Sequence, residues 1–131
     1  SSMAGPTNIT ILIADDDPEI LAMLAAHLRH AGYRILEAAD GDQALAVVRD
    51  QRPDIVLLDV MMPGRSGWEV CRALREDPIL SGTRVLMLTG IGERLNEMTS
   101  PLYGADEFLD KPFEFAMLDE KLARLLRRNA M

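Results

Sequence analysis

The chain has 131 residues, 48% of them apolar and 27% charged, and its 14 basic and 21 acidic residues give a formal net charge of −7. That size suits one domain around one core, and the acidic balance argues against a surface built to neutralise a nucleic-acid backbone. A single cysteine, Cys71, excludes an internal disulfide and points to a reducing, cytoplasmic setting; no apolar run approaches the roughly 20 residues of a membrane span, so no membrane partner is expected.

Residues 1–7 carry neither a basic start nor an apolar stretch, so they do not read as a signal peptide. Ser1-Ser2-Met3 has the look of an expression remnant, and 1–7 are set aside as a flexible N-terminus, leaving 8–128 as the expected domain. Ile9 to Ala14 is an apolar run that predicts a first strand. Asp17 before Pro18 is a normal helix start, and Leu21, Leu24, Ala25 and Leu28 mark one face of that helix, closed by Gly32. Tyr33 to Glu37 predicts a second strand; Asp40 with Gln43 can cap a second helix that turns Leu45 and Val48 inward.

Ile55 to Leu58 predicts a third strand. Ser66 and Glu69 form a capping box for a third helix burying Val70 and Leu74, with Trp68 and Cys71 as packing residues. Val85 to Leu88 reads as a fourth strand, residues 93–103 as a fourth helix, and Glu107 to Leu109 as a fifth strand. A last helix carries Phe115, Leu118, Leu122 and Leu125 and ends in Arg127-Arg128, favourable at a helix C-terminus. Five strand-then-helix units predict an α/β fold: a parallel sheet with right-handed crossovers and five helices covering both faces. The near-absence of polar residues from the first, third and fourth strands agrees with strands buried on both sides.

Such sheets bind ligands beyond the carboxyl ends of their strands. There the chain places Asp15, Asp16 and Asp17 after strand one, Asp59 after strand three, Thr89 after strand four and Lys111 after strand five. A nucleotide-binding sheet would have a glycine-rich loop after strand one. Three carboxylates there instead repel phosphate and attract a hard cation such as Mg²⁺, which takes few carboxylates and keeps several waters. Crowded carboxylates cannot all ionise cheaply, so at least one is expected to have a raised pKa without metal. Lys111 supplies the opposing charge and Thr89 a hydroxyl that can donate to a phosphoryl oxygen. Asp59, at a central strand end, is the best-placed nucleophile toward phosphorus.

The segments Ile11-Leu-Ile-Ala-Asp-Asp-Asp-Pro18, Leu57-Leu-Asp-Val-Met-Met-Pro-Gly64 with Gly67, Met87-Leu-Thr-Gly90 and Gly104-Ala-Asp-Glu-Phe-Leu-Asp-Lys-Pro-Phe113 resemble the motifs of response-regulator receiver domains, over about residues 8–128. The resemblance implies a flavodoxin-like strand order of 2-1-3-4-5. It implies a switch phosphorylated on Asp59 by a sensor histidine kinase or phosphotransfer protein, acting on an output domain or effector that the sequence does not name. It implies that Asp16, Asp59 and the Met61 carbonyl hold Mg²⁺, with Asp15 acting mainly through water. Lys111 would pair with the phosphate, Thr89 would move to bond it, Phe108 would be the aromatic switch, and the Lys111–Pro112 bond would be cis.

By the same resemblance Met61 and Ile91 flank the approach of the hydrolytic water. Neither can activate water, which implies slow self-dephosphorylation. Pro101 interrupts the fourth helical pattern, on a face many receivers use for output or dimerisation, and leaves monomer and dimer both open. Gly90 and Gly92 add freedom to the loop after Thr89. His27 and His30 read as surface residues. An aspartyl phosphatase of the haloacid-dehalogenase type would need an acid two residues after the nucleophile, where this chain has Met61, so turnover of external phosphoesters is not expected. A piece of a larger regulator or hybrid kinase and an unphosphorylated adaptor are the remaining alternatives, the second weakened by the complete acceptor set.

Overall fold

The computed structural model describes residues 8–90 and 104–129. Five strands form one parallel sheet: β1 (Thr10–Ala14), β2 (Arg34–Ala38), β3 (Ile55–Asp59), β4 (Arg84–Thr89) and β5 (Glu107–Asp110), in the order β2-β1-β3-β4-β5. Among the described residues four helices flank it: α1 (Pro18–His30), α2 (Gly41–Gln51), α3 (Gly67–Glu76) and α4 (Phe115–Asn129). The helix expected at 93–103, with Gly92 and Pro101, lies outside the described residues, as does Ile91.

Strand side chains alternate between the two faces, and both alternations are apolar. Ile11, Ile13, Ile55, Leu57, Leu86, Leu88 and Leu109 pack under Leu24 and Leu28 of α1 and Leu118, Leu122 and Leu125 of α4. Leu12, Val56, Leu58, Val85 and Met87 pack under Ala44, Leu45 and Val48 of α2 and Val70, Cys71 and Leu74 of α3. Two-sided burial of β1, β3 and β4 is the reason their polar residues are confined to the strand ends.

The helix ends follow their capping residues. Asp17 accepts from the Glu19 and Ile20 amides at 2.9 and 3.5 Å. Gly32, at φ 103°, closes α1 with its N–H donating to Arg29 and that of Tyr33 to Leu28, the paired bonds of a Schellman ending. Asp40 accepts from the Gln43 amide at 2.7 Å while Gln43 accepts from the Ala39 amide at 2.6 Å. Ser66 and Glu69 close their capping box in both directions, at 3.2 and 2.8 Å.

The two histidines of α1 differ in how far they are covered. His30 is exposed, but His27 is half-buried: its ring stacks on Phe115 at 3.9 Å, and Nε2 lies 2.8 Å from Asp119 Oδ1. α1 and α4 share one face of the sheet, so a position on the flank of α1 is covered by its neighbour.

Candidate functional site

β1, β3, β4 and β5 all run the same way, so their last residues gather at one edge of the sheet. Asp15 follows β1, Asp59 ends β3, Thr89 ends β4 and Lys111 follows β5. Register fixes their heights: Asp59 pairs with Leu88 and Thr89 with Asp110. The Asp15 N–H donates to Ala38, holding the turn out of β1 against β2 at 3.1 Å.

Lys111 joins these strand ends. Its Nζ lies 2.9 Å from Asp59 Oδ1 and 3.1 Å from Asp15 Oδ2. The Lys111–Pro112 peptide is cis. Asp15 is buried, and its Oδ1 also accepts the Asp17 N–H at 2.9 Å, whereas Asp16 is exposed. One carboxylate oxygen from each of Asp15, Asp16 and Asp59 lies within 4.8 Å of the other two. Asp17 is not in this set; it caps α1. Three hard oxygen donors of net negative charge at this spacing suit a small divalent cation.

Burial pushes the Asp59 carboxyl up to about 6; the Lys111 hydrogen bond opposes this, and the charges of Asp15 and Asp16 reinforce it. The raised carboxyl expected of this acid cluster is therefore Asp59. Burial works against the Lys111 charge too, but the hydrogen bond to Asp59 and the two carboxylate charges outweigh it and hold its pKa above the ordinary value.

The loop carrying Asp59 toward α3 leaves little room. A Cβ on Gly67 would sit 2.4 Å from the Asp59 carbonyl oxygen, and one on Gly41 would meet the Arg65 carbonyl at 2.0 Å. Gly64 takes φ 77°, which glycine adopts without strain. Arg65 Nε donates to Asp42 at 2.9 Å, tying the loop to the start of α2. Met61, two residues after Asp59 on this loop, is 64% exposed and stands outside the core. Trp68 packs in the first turn of α3 as expected, its ring tilted against Phe108 at 6.0 Å.

Thr89 and Arg75 make contacts that the sequence does not signal. Thr89 is fully buried, and its Oγ1 donates to Asp110 Oδ1 at 2.7 Å. Arg75, late in α3, donates to the carbonyls of Gly104, Ser81 and Thr83 and to Asp106, at 2.6–3.0 Å. It thus anchors the chain just before β5. Gly104, at φ 80°, is packed against the Arg75 side chain, where a Cβ would clash. Asp110 and Arg75 sit one residue before a motif lysine and at the end of a helix, positions that carry no sequence signal of their own. Cys71 is buried under α3, with its thiol pushed up to about 12 by burial, so it is an unreactive packing residue.

Residues 11–123 match the family model described as the response regulator receiver domain. Over 119 residues the chain is 44% identical to the phosphate regulon transcriptional regulatory protein PhoB of Pseudomonas aeruginosa, covering 91% of this chain and 52% of that protein. The chain thus spans about half the length of the curated relatives it matches. The chemotaxis response regulator CheY4 of Vibrio cholerae superposes with a TM-score of 0.83 at 34% identity, covering 89% of this chain and 98% of that one. The signal receiver domain of a signal transduction histidine kinase from Syntrophus aciditrophicus gives 0.84 at 32% identity, covering 95% and 91%.

Proposed function

This chain belongs to the response regulator receiver family, the phosphorylation-dependent switches of two-component signalling, and we propose that Asp59 is its phosphoacceptor. The observation that carries this reading is the position of Lys111, whose one ammonium spans Asp59 and Asp15 at 2.9 and 3.1 Å beside a three-carboxylate cluster. A nucleophile, its counter-charge and a cation-binding set meet at one strand edge.

In the proposed reaction a carboxylate oxygen of Asp59 attacks the phosphorus of a phosphohistidine on a sensor kinase or phosphotransfer protein. The P–O bond forms as the P–N bond breaks, and the electron pair leaves with the imidazole, which takes up a proton. Lys111 holds the attacking carboxylate in place and then pairs with the new phosphoryl charge. Thr89 donates its hydroxyl to a phosphoryl oxygen, and Phe108 follows. Asp16, Asp59 and the Met61 carbonyl would hold Mg²⁺, with Asp15 acting through water. Bound there, the ion supplies charge neutralisation for the carboxylates and phosphoryl oxygens.

The domain spans 8–128, works in the cytoplasm and contacts no nucleic acid itself; its output passes to another module or effector. It catalyses only its own phosphorylation and dephosphorylation. The test is labelling with acetyl phosphate and Mg²⁺. One phosphoryl group is expected on the wild type and none on Asp59→Asn, and undiminished labelling of that variant by mass spectrometry rules Asp59 out.

A further inference from the structure

The Thr89 hydroxyl lies in full burial and already has an acceptor. Oγ1 is 2.7 Å from Asp110 Oδ1 and 3.5 Å from the Leu109 carbonyl. The arrangement is built by the sheet: Thr89 and Asp110 are register partners, and the Lys111 N–H donates to the Thr89 carbonyl at 2.7 Å. Main chain and side chain of Thr89 are thus both held by the end of β5.

A threonine hydroxyl has one proton to donate. If it serves a phosphoryl oxygen on Asp59, as proposed above, it cannot at the same moment serve Asp110. We infer that Asp110 is a latch: a positioning residue that acts through Thr89, holds the switch in its unphosphorylated arrangement and sets how readily phosphorylation releases it. Hydrogen bonds to an ionised carboxylate are about twice as strong as neutral ones, so the latch biases the equilibrium appreciably. Asp110 is exposed, so water can reach its carboxylate when Thr89 leaves, and the latch stays breakable. A ligand that draws Thr89 toward Asp59 therefore binds with an affinity reduced by the fraction of molecules still latched.

The inference rests on Asp59 being the acceptor. The test is a calorimetric titration of the whole chain with beryllofluoride and Mg²⁺, which mimics the phosphoryl group without turnover. Asp110→Ala is expected to bind about 10-fold tighter, ~1.4 kcal/mol, and Asp110→Asn less so, because its amide oxygen still accepts. In a Thr89→Val background, which has no hydroxyl to latch, Asp110→Ala is expected to change nothing. Urea unfolding should show Asp110→Ala no more stable than wild type, so that the tightening is not general stabilisation. Unchanged or weaker binding by Asp110→Ala overturns the latch. So does a full 10-fold gain that persists in the Thr89→Val background, which assigns the effect to charge alone. If Asp59→Asn binds as well as wild type, the acceptor reading itself fails and the latch falls with it; loss of binding in Asp59→Asn with no Asp110 effect removes the latch only.

Discussion

The Lys111 ammonium sits 2.9 Å from the Asp59 carboxylate and is the group that opposes the rise in its pKa. Burial still prevails, and the folded protein holds the Asp59 proton to about pH 6, against 3.8 for the ordinary side chain. Well below pH 3.8 both folded and unfolded states are protonated there. Between about 4 and 6 the unfolded chain has lost the proton and the folded one has not, so stability falls as pH rises through that window. Asp59→Asn, nearly isosteric and neutral, should therefore raise the metal-free Tm near pH 7.5 by about 3–6 °C, on the order of 1 kcal/mol. The gain should vanish near pH 3, below both values. Thermal unfolding followed by circular dichroism at both pH values measures it, and an equal gain at both refutes the titration argument.

Mg²⁺ should stabilise the fold, because it relieves the repulsion among Asp15, Asp16 and Asp59 and binds only the folded state. At ~100 times Kd the gain is roughly 2.7 kcal/mol. Asp16→Ala should lose it. Thermal shifts with and without Mg²⁺ decide the point, and equal stabilisation of wild type and variant would place the cation elsewhere.

Arg75 joins α3 to the chain before β5 through four acceptors. Removing the guanidinium leaves Asp106 without its ion pair to Arg75 and three carbonyls short of a donor. Arg75→Ala should cost about 2–4 kcal/mol in urea unfolding. Arg75→Lys should recover less than half, because an ammonium cannot reproduce the planar fork. A loss under 0.5 kcal/mol, within the ordinary range for surface substitutions, would reduce the network to surface decoration.

Self-dephosphorylation should be slow, with a lifetime of many minutes or longer. The exposed Met61 side chain, two residues after Asp59, can shield a phosphoryl group but cannot activate water, and Ile91 is expected to act likewise. Met61→Asn with Ile91→Glu should speed phosphate loss by ~10-fold, about 1.4 kcal/mol of barrier. Decay of the labelled protein, followed after removal of the donor, tests both parts. Loss within seconds in the wild type contradicts the first, and an unchanged rate in the double variant contradicts the second.

Much of this protein is legible in its sequence because the signals are local. Apolar runs such as Ile55 to Leu58 can be satisfied only by two-sided burial. Asp17, Asp40 and Ser66 start helices by bonding amides two or three residues away. Asp15, Asp59, Thr89 and Lys111 come from consecutive strand ends that a parallel sheet must bring to one edge. The contacts that were not legible join residues far apart in the chain. Thr89 meets Asp110 across 21 positions, Arg75 meets Asp106 across 31, and His27 meets Asp119 across 92. Each depends on strand register or on how two helices lie over the same face of the sheet. A single hydrogen bond stabilises by only about 1 kcal/mol, too little to impose a pattern on the residues around it. Composition and periodicity therefore decide which elements form and which edge carries the chemistry, while the packed sheet alone decides which acceptor each buried donor finds.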